Sequence, residues 1–596
     1  MNYDEIKEQY EHLIVDDNTR LTALKKQIFT IGTIRLGIAL ATAMGIYWVW
    51  NDMQLAGIIF VAGLALFLIL AKFHDRLFRK KQYFELKIDN TCNELKALGY
   101  DFSAFDAGNE FASATHSYAN DLDLFGKRSL FQSLNRTVTL SGKKHLAQSL
   151  LNPLSEKDSI GERQKAIEEL SQDQHLIDHF RATGQMAENL NTENIAIGQL
   201  SDRPLRSTFW RITPVLYPIL FVSMIVFCAC EIIPSALFII FWMAMIPISL
   251  IPTKKINQKL DSLTKKQQTI DSYTKLLQIV EDRKFDSKYL NDLQKNIREP
   301  ESAYQSIKVL NKLVHNAGLS LTFLGLLFFN PVLSWNVMYA IRIENWIKKR
   351  SLSFSNWTDT IGRFDSLLSF ARFKYNHPDY VFPQISTSFA YQAQAMGHPL
   401  INRNVCVRND IDITSRPYFM VVTGANMAGK STYLRTVGIN LTLACAGSVV
   451  CAGQMNFYPF QLVTNLRTSD SLNDNESYFF AELKRLRMII DRLESGEELF
   501  IILDEILKGT NSEDKQRGSL ALMKQLVAMN GNGIIATHDL ELGNLETEFP
   551  EAVRNYRFEA DITDNELTFS YRMQPGVARN MNACFLMKKM GIAGLD

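Results

Sequence analysis

Residues Gly424, Ala425, Asn426, Met427, Ala428, Gly429, Lys430, Ser431 and Thr432 follow a run of apolar and β-branched residues and have the spacing G-x-x-x-x-G-K-[ST] of a phosphate-binding loop. Glycines there let backbone N–H groups curl around a polyphosphate, and the helix that follows offers its positive N-terminus. Lys430 is then placed to reach the β- and γ-phosphates of ATP, and Ser431 to ligate Mg²⁺. A second pair stands at the end of the apolar run 499–503, where Asp504 and Glu505 follow without a gap. Asp504 suits Mg²⁺, directly or through water, and Glu505 suits orienting or deprotonating an attacking water. In isolation such a pair also serves as a helix cap; behind a phosphate loop the chemical role is the stronger reading. His538 ends the run 533–537. A lone histidine at a strand end is ordinarily structural, but at a sheet edge that already carries Lys430 and Glu505 it can meet the γ-phosphate or the water.

Positioning these side chains takes parallel strands with their carboxyl ends together. Residues 417–423 read as the strand before the loop, 430–450 as the helix behind it, and 499–503 and 533–537 as further buried strands. Strands alternating with helices imply a parallel sheet with its ligand at the carboxyl edge. This α/β texture begins near residue 385; the chain before it is helical and polar between long apolar runs.

A chain of 596 residues predicts several domains. With a formal net charge of +1 there is no global field for nucleic acid, so any such partner needs a local basic patch. Seven cysteines without paired metal spacing argue against a disulfide framework or a zinc site. The acidic start, with Asp4, Glu5, Glu8, Glu11, Asp16 and Asp17, does not fit a cleaved signal peptide, and the catalytic part is expected in a reducing cytosol.

Residues 28–50 are apolar except for Arg35, and 53–71 carry no charge; each is long enough for a membrane-crossing helix. Trp48 and Trp50 flank the tight turn, while Lys25, Lys26, Arg76, Arg79, Lys80 and Lys81 lie at the far ends, which predicts a hairpin with both ends cytoplasmic. The pattern repeats on either side of Glu231 between Arg211 and Lys254, with Arg203 and Arg206 before and Lys255 and Lys259 after. The alternative is a set of buried core helices. A fifth apolar region, 313–341, is broken at Asn330-Pro331 and has basic flanks at both ends; it reads as core helices of a soluble domain rather than a third hairpin.

Residues 423–435, 504–510 and 536–539 resemble the ATPase domain of the MutS family, and Ser477 to Glu482 is similar to that family's serine-centred signature. Gly397-His398-Pro399 resembles the segment leading into the family's nucleotide pocket, and 579–590 its closing helix; 130–139, 150–153, Arg163-Gln164 and 364–371 resemble, more weakly, the start and end of its helical core domain. The resemblance implies an α/β P-loop NTPase (ABC-like ATPase) domain, a parallel sheet flanked by helices, preceded by an all-α core domain and here by transmembrane helical hairpins. Together with the apolar spans it divides the chain into an N-terminal segment with the first hairpin (1–81), core domain in two parts (82–211 and 254–384) around the second hairpin (212–253), and ATPase domain (385–596). It implies ATP and Mg²⁺ as cofactors and a head-to-tail homodimer in which Ser477 reaches the γ-phosphate held by the partner; by itself Ser477 is equally a helix N-cap. Location in the cell membrane with a cytoplasmic ATPase domain is expected.

Departures from the family pattern are specific. Ala425 and Ala428 replace the usual Pro and Gly, and Leu507-Lys508 replaces a Gly-Arg pair. No Phe-x-Glu wedge stands in an N-terminal mismatch-reading domain, and the second hairpin falls where DNA-binding relatives insert their clamp. The expected function is therefore a membrane-anchored, ATP-hydrolysing MutS-like dimer, with a mismatch-repair protein binding DNA as the alternative. An ABC-type transporter would need a Leu-Ser-Gly-Gly-type signature between Lys430 and Asp504, and Thr139-Leu-Ser-Gly142 lies far before the loop.

Overall fold

The computed structural model describes residues 2–187, 208–252, 256, 263, 266–425, 427–467, 478–563 and 566–578. Two helices of 46 residues open the chain. Helix α1 (Tyr3–Trp48) starts from a reciprocal capping box between Asn2 and Glu5, and α2 (Met53–Leu98) from the Asp52 carboxylate, which accepts from the amides of Gln54 and Leu55. At 1.5 Å per residue each is about 70 Å long, roughly twice a bilayer's hydrocarbon thickness, so the hairpin has two zones.

Around the turn, apolar side chains face outward on all sides; Trp48 is 83% exposed and Ile58 65%. The windows that make α1 and α2 long and apolar enough to cross a membrane are 0% buried by the rest of the protein. Arg35, the one charge within them, meets His74 Nδ1 at 2.9 Å and lies over the Phe67 ring, so it is answered inside the hairpin.

Away from the turn the hairpin is bolted to the helical core. Glu94, 2% exposed, accepts from Arg136 Nε and Arg181 Nη1, both at 2.6 Å, and from Asn376 Nδ2 at 2.9 Å. Arg372 donates to the Tyr10 hydroxyl and pairs with Asp178. Burial penalises the Glu94 charge, but Arg136, Arg181 and Arg372 hold its carboxyl well below the ordinary carboxylate range. Glu94→Ala strands buried arginines and is expected to cost about 3–5 kcal/mol in urea unfolding. Because the folded pKa lies below the unfolded one, this stabilisation is complete above the unfolded pKa and fades as the pH falls toward the folded value; the same titration on Glu94→Gln should lose that acid dependence.

The core continues through α3 (Leu140–Leu151), α4 (Lys157–Ser171), α5 (Gln174–Gln185), α6 (Thr208–Ala229), α7 (Ser235–Leu250), α8 (Gln267–Glu281), α9 (Lys288–Arg298), α10 (Ala303–Gly318) and α11 (Trp335–Asn376). α11 is the spine, about 63 Å long, and α3, α4, α6, α9 and α10 all pack along it. α6 has the length and hydropathy of a crossing, with 17% of its apolar window buried. α7, at 16 residues, is shorter than the 232–253 span read from the sequence because Pro234 holds the N-cap position in an extended conformation. Of the charges flanking this pair, Arg203, Arg206, Lys254, Lys255 and Lys259 lie outside the described residues, and Arg211 pairs with Glu344 on α11.

Residues 313–341 differ from the sequence reading. α10 and the start of α11 are core helices, but 319–333 turn back on themselves in short 3₁₀ and π-helical turns, and Gly325–Leu333 meets α11 at 69°. This fold-back packs on the α6–α7 pair: Trp242 Nε1 donates to the Leu327 carbonyl at 2.9 Å, and the Thr213 and Ser334 hydroxyls lie 2.8 Å apart. Fully buried Asn330 makes the reversal tolerable by donating to the Ser320 carbonyl and accepting from the Asn336 amide, two backbone groups of the broken helix.

The rest of the described chain is α/β. A small sheet joins β1 (Gln384–Ile385), β5 (Gln454–Phe457), β2 (Tyr391–Met396) and β3 (Asn409–Ile413) in that order. The larger sheet has the order β10 (Glu566–Pro575), β9 (Val553–Thr563), β4 (Tyr418–Gly424), β8 (Asn532–Thr537), β7 (Leu499–Asp504), β6 (Gln461–Asn465). All its neighbours are parallel except the edge strand β10, which is antiparallel to β9, a hairpin the alternating pattern did not predict. Helices α12 (Lys430–Cys445), α13 (Tyr478–Glu494) and α14 (Ser512–Ala528) complete this part.

One continuous apolar core runs from Leu122 and Leu130 of the helical part to Phe500 and Ile534 of the sheet. The seam between them is polar as well: Asp121 accepts from Thr464 Oγ1 and from the amides of Leu466 and Arg467, while Asp123 pairs with Arg435 of α12 and with Arg467.

Candidate functional site

Strands β4, β8 and β7 are adjacent and parallel, so their carboxyl ends deliver the phosphate loop, His538 and the Asp504-Glu505 pair to one edge. The register sets Thr423 beside Thr537 and Asp504 beside Ala536. The strands are buried on both faces, hence their unbroken apolar runs.

Within the loop, Gly424 has φ +148° and an added Cβ would lie 2.3 Å from the Phe558 carbonyl oxygen. Gly424→Ala is therefore expected to abolish nucleotide binding measured with a fluorescent ATP analogue, through loss of the loop's path rather than of a contact. Gly429, at φ +107°, caps α12. Lys430 is buried; its Nζ donates to the carbonyls of Gly424 at 2.5 Å and Ala425 at 3.0 Å and lies 3.5 Å from His538 Nε2. Burial pushes its ammonium down to about 8, opposed by attraction to Glu505 and Asp504.

Ser431 Oγ donates to Asp504 Oδ2 at 2.7 Å, which brings the two expected Mg²⁺ ligands to one point. Glu505 sits in the left-handed region at φ +49°, pinned there by the hydrogen bond its backbone N–H donates to the Ala536 carbonyl. Its Oε1 meets His538 Nε2 at 2.6 Å and its Oε2 meets Lys508 Nζ at 3.4 Å. The hydrogen bond from His538 holds the Glu505 carboxyl down at about 2, against partial burial, with help from Lys508. Lys508, part of the departure from the family's Gly-Arg pair, thus faces the same carboxylate.

Met427 points outward, 77% exposed, and Ala428 is buried under the loop. Thr432 lines a cavity of about 180 Å³ with Met396, Ile401, Val405, Tyr433 and Phe558. The Gly397-His398-Pro399 segment runs between two of its lining residues, Met396 and Ile401, and burial pushes His398 down to about 4, so it is neutral near pH 7. Asn426, Ser477 and the 579–590 segment lie outside the described residues.

Glu482 is the residue whose role the motif alone did not disclose. It is 2% exposed on α13, and its Oε1 accepts from the Leu507 amide at 2.7 Å, at a residue with φ +59°. Burial raises its pKa. It holds the 505–508 turn from a helix more than twenty positions upstream; its place at the end of the Ser477–Glu482 signature was the available signal.

A glycine-bent loop between a buried strand and a helix, with Ser-Asp and Glu-His pairs at the same sheet edge, defines a P-loop nucleotide-binding domain. Residues 420–592 match the family description MutS domain V, and 115–371 match MutS domain III. The chain belongs to the MutS family, whose domain V is its P-loop ATPase domain. It is 29% identical over 235 residues to "MutS protein homolog 4" of Homo sapiens, covering 38% of this chain and 24% of the relative. It is 28% identical over 251 residues to "DNA mismatch repair protein MutS" of Thermotoga sp. (strain RQ2), covering 41% and 31%, and 31% identical over 198 residues to the protein of that name in Thermotoga petrophila, covering 33% and 25%. The chain thus spans under a third of the length of these relatives.

Proposed function

We propose that this protein is a membrane-anchored MutS-family ATPase whose nucleotide cycle opens and closes a cytoplasmic dimer. The observation that carries this reading is the convergence of Lys430, Ser431-Asp504 and Glu505-His538 at one sheet edge, in a chain whose α1–α2 apolar windows stay unburied. An outward apolar surface of that extent is strongly unfavourable in water and is matched by lipid.

In this reading the backbone of 424–430 wraps the phosphates, Lys430 leaves the loop carbonyls for the β- and γ-phosphates, and the 180 Å³ cavity takes the base. Ser431 and Asp504 would hold Mg²⁺, which supplies charge neutralisation at the phosphates; one hydroxyl and one carboxylate suit an ion that keeps its remaining positions for phosphate and water. Glu505, ionised and oriented by His538, accepts a hydrogen bond from the attacking water. Ser477 of one subunit completes the partner's site, and the 121–123 seam passes closure to the helical core.

DNA mismatch repair is the second reading, favoured by the names of the bacterial relatives. One experiment separates the two. Full-length protein is washed in alkaline carbonate, solubilised in detergent, and its ATP turnover followed with homoduplex, mismatched or branched DNA. Retention in the membrane fraction with turnover indifferent to a mismatch is expected; release by carbonate overturns the anchoring, and mismatch-specific stimulation transfers the assignment to repair.

A further inference from the structure

Below the hairpins, a cleft of about 860 Å³ opens between α2, α8 and α10. Among the described residues its walls carry Arg79, Lys275, Lys308, Lys312 and His315, against one acidic residue, Asp271. Asp271 is already engaged by Lys275 at 2.7 Å and by Asn311 Nδ2 at 3.1 Å, and Lys308 Nζ is 3.0 Å from the Tyr304 hydroxyl. Arg79 and Lys312 are exposed and have no carboxylate partner among the described residues. The cleft therefore holds a clear surplus of positive charge, although the whole chain is close to neutral.

Its depth is informative. Arg79 lies eight residues beyond Ala71, the end of the first apolar pair, and His315 four residues before Leu319, where the fold-back begins. At 1.5 Å per residue these offsets are about 12 and 6 Å. The polar layer of a bilayer extends roughly 5–8 Å beyond the hydrocarbon on each side, so the His315 end of the cleft opens at head-group level, and the Arg79 backbone lies just beneath it, near enough for the long side chain to reach up.

We infer that this cleft binds the phosphate head group of an anionic phospholipid from the leaflet facing the ATPase domain, an inference that rests on the membrane anchoring proposed above. The Arg79 guanidinium offers a forked donor set to phosphate oxygens, and the Lys312 ammonium a point charge. Basic pockets between membrane helices on the cytoplasmic side have this chemistry. A head group seated there links α2 of the first hairpin to α10, the helix that runs into the fold-back against the second. Duplex DNA, also a phosphate polyanion, is disfavoured because the cleft lies within about 12 Å of the apolar zone, less than the roughly 20 Å width of a duplex.

The test uses full-length protein in phosphatidylcholine nanodiscs with and without phosphatidylglycerol, and native mass spectrometry of the lipids it retains. Arg79→Gln combined with Lys312→Gln removes two cations and is expected to lower phosphatidylglycerol retention on the order of tenfold to thirtyfold. The control pair Lys348→Gln and Lys349→Gln on the exposed face of α11 should retain it, and ATP turnover in lipid-free detergent should be the same in all three proteins, which certifies the fold. Equal retention by the cleft variant and the parent overturns the inference while leaving the anchoring intact; release of the parent protein by carbonate overturns both. Displacement of the lipid by millimolar glycerol phosphate at comparable affinity assigns the cleft to a free phosphate ester instead, and displacement by a duplex oligonucleotide assigns it to nucleic acid; either result also overturns it.

Discussion

Glu505→Ala should bind ATP as tightly as the parent and turn it over on the order of 10²–10⁴ times more slowly. Among the described residues the carboxylate pairs with His538 and Lys508 and makes no hydrogen bond to a loop atom, while the Glu505 amide donates to the Ala536 carbonyl. Removing it deletes the acceptor for the attacking water and leaves Lys430, Ser431 and Asp504 in place. In the dimer cycle proposed above, ATP then stays bound and the closed dimer accumulates, so size-exclusion chromatography in detergent with ATP should show a larger species than the parent gives. A variant with parental kcat would remove Glu505 from the mechanism.

Lys430→Ala should fail at the earlier step. Its ammonium is the only buried cation at the loop among the described residues, and two charge-assisted contacts to phosphate are worth enough to weaken ATP binding on the order of 10²–10³-fold. The same side chain ties the carbonyls of Gly424 and Ala425, so its loss also loosens the loop in the nucleotide-free protein. Isothermal titration with a slowly hydrolysed ATP analogue distinguishes the two substitutions: Glu505→Ala keeps the binding isotherm and Lys430→Ala loses it. Binding by both variants at parental affinity would refute the placement of the phosphates.

Both expectations grew from short stretches of chain, and that is where sequence is most informative. A phosphate loop works through backbone N–H groups bent by glycines within nine residues, and a metal-binding aspartate works from the end of its own strand. Those distances are set by covalent geometry, so Gly424 to Thr432, Asp504, Glu505 and His538 could be read directly, and the parallel order of β4, β8 and β7 brings them together. The apolar runs 28–50 and 53–71 were equally legible, because hydropathy at helical length needs no partner to be recognised.

Tertiary structure alone decided what depends on distant residues. Glu482 reaches the Leu507 amide across 25 positions, Tyr10 and Arg372 meet across 362, and no local pattern encodes either contact. The fold-back at 319–333 reads as core helix in sequence because its composition suits both environments; the Asn330 hydrogen bonds and the docking of Trp242 make the difference. β10 joined its sheet antiparallel because a hairpin from β9 needs no crossover, an option that alternation of strands and helices does not reveal. Sequence by itself thus determined the phosphate-loop motif, the acidic pair and histidine that gather beside it, and the apolar character of the hairpins, since each resides in contiguous residues. The fold determined which distant side chains brace that chemistry and join hairpin to core, since buried charges such as Glu94 find their partners only when the chain has closed around them.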